Sequence, residues 1–219
     1  MSKNLPRYLI GIDTETSGTN IPGQTSPNKA PSQCLSIALI VLDTHRPALP
    51  EVASFYSEIR FDDSQFDWSE QAEKIHGLTR EHLADAPTMA QVADDVVAFI
   101  RRFVPPDQQG VLLGHNPSFD RAFLIQVVQA GGHQLKLHHR MVDGFSLGFG
   151  YYGLQNSDEQ FAFFGQSRGN HHALADIRQT AEMLRVVRRS GNRELMDSGL
   201  PPASLPDYAR DFIQTYINQ

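Results

Sequence analysis

Cysteine is almost missing from this 219-residue chain. Cys34 stands alone, which excludes an intramolecular disulfide and a CxxC metal site, and its place beside an apolar run makes it a small core residue. Long apolar runs are missing too. None approaches the roughly 20 residues that a membrane-spanning helix needs. The N-terminus, MSKNLPRYLIGID, lacks the layout of a secretory leader. These absences lead to the expectation of a cytoplasmic protein with no membrane partner. An excess of positive charge is also missing, since the formal net charge is −6. Non-specific nucleic-acid binders are ordinarily basic, because phosphate neutralisation drives their affinity. A chain of this charge that handled nucleic acid would need bound metal ions as a local source of positive charge. It would then favour short or single-stranded ends over long duplex.

What is present suits one α/β domain. Hydrophobic residues make up 40% of the chain and charged residues 20%, ordinary values for a globular protein. RYLIGID (7–13) reads as a first strand ending at acidic residues. A polar loop comes next, 16–33, rich in Pro, Gly, Ser and Asn. CLSIALIVLD (34–43) reads as a buried strand and 51–61 as a third, and short connections allow an antiparallel meander. The period then changes. SEQAEKIHGLT predicts a short helix ending at Gly77, and Thr79 predicts the cap of another. Thr88 caps a longer helix through Val104, with Val92, Val96, Phe99 and Phe103 as its stripe. VLLGH (111–115) reads as a strand, 118–130 as a helix capped by Ser118, 141–143 as a short strand, and 172–189 as a helix with Gly191 behind it. Residues 144–170 show no clean period. Their aromatics (Phe145, Phe149, Tyr151, Tyr152, Phe161, Phe163 and Phe164) read mainly as core, with stacking on unpaired bases as the other use. The order predicts a mixed sheet with helices on its faces.

The chemistry gathers at element ends. Asp13 and Glu15 stand two apart on a strand, so both side chains point to one face. Like charges so placed repel, and a divalent cation of the hard, oxygen-seeking kind removes the conflict. By itself an acid-x-acid pair is usually solvated. Asp120 falls in the first turn of a helix after GHNPSFD, where the helix dipole alone would also favour it. His115 and Asn116 beside it are polar groups at a strand end, and Asn116-Pro117 also marks a turn. Asp176 lies early in the last long helix, with His171 at that helix's mouth. A histidine titrates near neutrality and can take a proton from water. Four acids at the ends of separate elements, with a histidine beside the last, form a layout for two-metal phosphoryl transfer.

IDTETSG, IHGLT, GHNPSFD and HHALADIRQTAEML, in that order over roughly residues 7–190, resemble the motifs of the DEDDh (DnaQ-like) 3′→5′ exonucleases. That family has the ribonuclease H-like fold. The resemblance implies a mixed sheet, three antiparallel strands and then parallel ones, with helices on both faces. It implies an exonuclease domain over 1–190 and a tail over 191–219 bearing a short amphipathic helix, DYARDFIQTYI. It further implies two divalent cations, Mg²⁺ or Mn²⁺, on Asp13, Glu15, Asp120 and Asp176. His171 would be the base that activates water, chosen over His172 by the spacing of histidine, four residues, aspartate. Nucleoside 5′-monophosphates would leave from the 3′ end. Thr14, Thr16, His76, Gly77, Asn116 and Arg168 are the residues expected at the substrate, although a helix C-cap accounts equally well for His76-Gly77. The implied substrate is single-stranded or 3′-ended DNA or RNA, with neither sugar preferred. A homodimer, or a polymerase partner docked through the tail in a proofreading role, is a further expectation. A non-catalytic binding module is the remaining alternative.

Overall fold

The computed structural model describes residues 6–23, 29–164 and 171–197. A five-stranded sheet has the order β3-β2-β1-β4-β5. Its strands are β1 (Tyr8–Thr16), β2 (Cys34–Asp43), β3 (Glu51–Glu58), β4 (Val111–Gly114) and β5 (Val142–Asp143). β1, β2 and β3 pair antiparallel, whereas β4 and β5 run parallel to β1. The helices are α1 (Glu70–His76), α2 (Met89–Arg101), α3 (Pro117–Ala130), α4 (Gly144–Tyr152), α5 (Ser157–Phe163) and α6 (Ala173–Asp197), with a 3-10 turn at His82–Asp85. This is the mixed, ribonuclease H-like sheet expected from the motifs.

Every residue of β2 is buried, as its unbroken apolar run requires of a strand covered on both faces. On one face Ile10, Ile12, Ile37, Leu39 and Val41 pack against Val92, Val96 and Ile100 of α2 and against Phe123, Leu124 and Val127 of α3. On the other, Leu9, Ala38, Ile40 and Leu42 pack against Ala173, Ile177 and Ala181 of α6. Alternation along β1 therefore turns even-numbered side chains towards α3 and odd-numbered ones towards α6. Two glycines permit close approach. A Cβ on Gly11 would stand 2.6 Å from Ile40 Cγ1 and 2.9 Å from Ile177 Cγ1, so α6 lies directly on β1 there. A Cβ on Gly114 would meet the Ile12 carbonyl at 3.1 Å and Pro117 Cβ at 3.0 Å, which brings the start of α3 against β1.

Several local expectations need correction. β1 continues past Asp13 to Thr16, because its pairing with β2 persists to Cys34. β3 ends at Glu58. Thr88 does cap α2, in a reciprocal capping box with Gln91, but the helix stops at Arg101 and not Val104. Thr79 accepts a hydrogen bond from the His82 backbone, yet it introduces only the 3-10 turn and no α-helix. Ser118 is not the cap of α3. Asn116, in the left-handed region at φ 66°, precedes Pro117 at the first helical position, where proline's fixed φ and missing N–H are tolerated. Residues 144–163 hold two helices that glycine and aromatic content concealed. Asp143 caps α4, Gly153 ends it at φ 72°, and Asn156 caps α5. α6 runs through Gly191, whose cost inside a helix is only about 1 kcal/mol. The expected helix in the tail lies outside the described residues.

Candidate active site

β1 and β4 are parallel, and their C-terminal ends bring Asp13 and Glu15 level with the start of α3. The mouth of α6 reaches the same edge of the sheet, because Ile177 docks on Gly11 and Thr180 on Gly144. Glu15, His171 and Asp176 each turn one ligand atom inward, and these three atoms lie within 4.8 Å of one another. His171 Nδ1 stands 3.9 Å from Asp176 Oδ2. Asp13, two residues before Glu15, occupies the same side of the strand, towards α6.

Asp120 approaches from the α3 side. It is buried, and Thr14 Oγ1 donates to its Oδ1 at 2.8 Å. Burial pushes the Asp120 carboxyl up to about 7, against the Thr14 hydroxyl and backbone, which favour the charged form. Burial so favours the protonated form, and positive charge brought to the carboxyl would favour the ionised one. Cys34 gives a second reading of the same place. Burial raises its thiol well above the ordinary range, and the charges of Asp120, Glu15 and Asp13 raise it further. The buried thiol therefore stays protonated and serves as core.

This donor set fits divalent cations. Carboxylate oxygens and one imidazole converge at a polar edge, and the buried acid needs a counter-charge. Asp13 and Asp120 are not part of the tight trio of Glu15, His171 and Asp176.

The other expected residues divide. His76 ends α1, and its Nδ1 accepts from the Leu78 backbone, which puts the proton of the neutral ring on Nε2. Burial lowers its pKa, the Thr16 backbone and Glu73 raise it, and His171 lowers it, so His76 lies near the first motif and His171. Gly77 is the left-handed C-cap of α1 at φ 72°. The Thr14 hydroxyl is engaged by Asp120, and that of Thr16 donates to the Gly18 carbonyl at 2.7 Å, which leaves backbone as what this segment offers a substrate. Asn116 is exposed; its amide donates to Asp143 and its side chain accepts from Ser118. His115 packs on Phe145 and Phe161 and contacts Ser157, so it joins α4 and α5 to the sheet. His172 is exposed and stacks on Tyr56. Arg168 lies outside the described residues. Phe161 is buried, whereas Phe149 and Phe163 are more than half exposed, at 56% and 54%.

Sequence reasoning missed Tyr56, Glu58 and His82. Tyr56 donates to Glu58 at 3.3 Å, and His82 Nε2 lies 2.8 Å from the same carboxylate. The spacing of Tyr56 and Glu58 repeats that of Asp13 and Glu15, which is the signal that could have placed them on one face.

Known proteins share this fold. The exonuclease family model RNase_T matches residues 10–184. An oligoribonuclease of Halorhodospira halophila is 27% identical over 183 residues, covering 83% of this chain and 92% of that protein. An oligoribonuclease of Streptomyces griseus is 29% identical, covering 83% and 85%. Among solved structures, the nuclease domain of 3′hExo, a DEDDh family member bound to rAMP, superposes with a TM-score of 0.64 at 16% identity, covering 87% of this chain and 96% of that one. Escherichia coli exonuclease I with a dT13 oligonucleotide gives 0.63 at 18% identity, covering 87% and 43%. With Glu15, His171 and Asp176 meeting at one edge of the ribonuclease H-like sheet, the chain belongs to the RNase_T exonuclease family, as a metal-dependent 3′→5′ exonuclease of the DEDDh type.

Proposed function

We propose that the chain trims short single-stranded RNA or DNA from the 3′ end and releases nucleoside 5′-monophosphates. The observation that carries this reading is the meeting of Glu15, His171 and Asp176 at one point. Asp13, Glu15, Asp120 and Asp176 would hold a pair of divalent cations, Mg²⁺ or Mn²⁺. Bound there, the cations would supply Lewis-acid chemistry, easing deprotonation of water and offsetting charge on the phosphate. His171 takes the proton from the attacking water, and the nearby Asp176 carboxylate stabilises the ring as it becomes charged. Water adds to phosphorus, and the bond to the 3′ oxygen of the penultimate nucleotide breaks. His76, Gly77 and Asn116, with the backbone of Thr14 and Thr16, border the space for the terminal nucleotide.

The preference for short substrates is supported by the extent of the oligoribonuclease match, 92% of the Halorhodospira protein. It also suits a net charge of −6, which disfavours long polyanions. The test is incubation with end-labelled RNA and DNA oligomers of graded length, in Mg²⁺, in Mn²⁺ and in chelator. The expected result is a ladder descending from the 3′ end, fastest on the shortest oligomers and lost in chelator. Intact oligomers in both metals would overturn the proposal.

A further inference from the structure

His171 and His172 are adjacent, yet their rings go to different places. His171 turns to Glu15 and Asp176, and His172 lies over the Tyr56 ring with centroids 4.6 Å apart and planes 23° from parallel. Tyr56 belongs to β3, two strands from β1, and shares a row with Ala38 and Asp13 across the sheet. It is half-buried and packs with the α6-side core, so it is a fixed support. Its hydroxyl is held by Glu58, which His82 holds in turn.

The place of His172 in the chain makes this stack informative. Its carbonyl accepts the first hydrogen bonds of α6, from the amides of Ala175 and Asp176. Ser, Thr, Asp and Asn are favoured at such a position because their side chains cap the helix. Histidine is not among them, and the stack on Tyr56 accounts for an aromatic ring there. His171 stands one residue further out, before the helix begins, and a group in a loop needs support from a rigid element to hold a productive geometry.

We propose that His172 is a positioning residue, whose stack on Tyr56 clamps the entry to α6 so that the His171 ring faces Glu15 and Asp176. This rests on the assignment of His171 as the base. The role belongs to the face of the ring and not to its nitrogens, so phenylalanine should serve in its place.

Steady-state kinetics on a short end-labelled RNA in Mn²⁺ test it. His172→Ala should lower kcat about three- to tenfold, the fold-change that matches an aromatic pair, and leave KM unchanged. His172→Phe and Tyr56→Phe should keep kcat near the starting value, and Tyr56→Ala should match His172→Ala. The double alanine variant should be no slower than either single one. A normal kcat for His172→Ala, an equal loss in His172→Phe, or a rise in KM alone would overturn the positioning role. His171→Ala serves as the control and should lose at least about a hundredfold. A normal rate in that variant would overturn the base assignment instead, so the two failures show in different proteins.

Discussion

The proposed cation role of Asp120 would tie ion binding to the stability of the fold, and pH reveals the link. Its carboxyl is 4% exposed and is raised by burial from an ordinary 3.8 to about 7. Without cations, the folded chain keeps a proton on Asp120 that the unfolded chain releases above about 4. The unfolded state then binds fewer protons, so stability falls as pH rises from about 4 to about 7. The displacement is worth about 4 kcal/mol if Asp120 acts alone, or roughly 10 °C in melting temperature for a domain of this size. His76 works in the opposite sense. Its pKa is lowered by burial, so it adds stability that is lost as pH falls below the ordinary histidine value. The difference between the wild-type chain and Asp120→Asn isolates the carboxylate. Thermal melts monitored by circular dichroism in chelator, from pH 4.5 to 7.5, should show the wild type losing stability relative to Asp120→Asn as pH rises. Saturating Mn²⁺ should offset the loss at the upper end. Parallel curves for the two proteins in chelator, or equal Mn²⁺ stabilisation of both at pH 7.5, would refute the reasoning.

Gly11→Ala should place a methyl group against Ile40 and Ile177 and push α6 from β1. Melting should show a loss of about 1–3 kcal/mol, and exonuclease assays should show a larger fractional loss of rate, because Asp176 moves with the helix. His171→Ala should cut kcat by about 10²–10⁴ while Mn²⁺ affinity falls much less; equal losses of both would make His171 chiefly a ligand.

Much of the architecture was legible in the chain because its signals are local. β2 announces itself as an unbroken apolar run, α1 by the turn at Gly77, and α2 by Thr88 and its stripe. Asp13 and Glu15 were legible as charges in an apolar strand, Asp120 and Asp176 as acids in the first turns of helices, and motif order then selected among them. What depends on distant contacts was hidden. Thr14 reads as one more residue of the first motif, and only the approach of α3 at Gly114 shows its hydroxyl committed to Asp120. Asn116 in the left-handed region could not be told from Ser118 as the start of α3, since both are favoured near helix ends. α4 escaped because Gly144, Gly148 and Gly150 interrupt the helical period, and α5 because its seven residues are too few to show one; Gly148 is small for a tertiary reason, since Gln160 lies where its Cβ would be. Their caps, Asp143, Gly153 and Asn156, were visible and carried more information than the period did. Tyr56 and His172 lie far apart in sequence, and their stack exists only because β3 and the mouth of α6 meet.

Asp13, Glu15, Asp120 and Asp176 are proposed to act together in holding a pair of cations. Mn²⁺ binding to the intact chain, monitored by electron paramagnetic resonance, tests it most directly. Saturation at two ions per chain is expected in the wild type, with a clear loss of bound ion in Asp13→Ala and Asp120→Asn, each still folded by circular dichroism. An unchanged stoichiometry and affinity in both variants, or no specific Mn²⁺ binding to the wild-type chain, would contradict it.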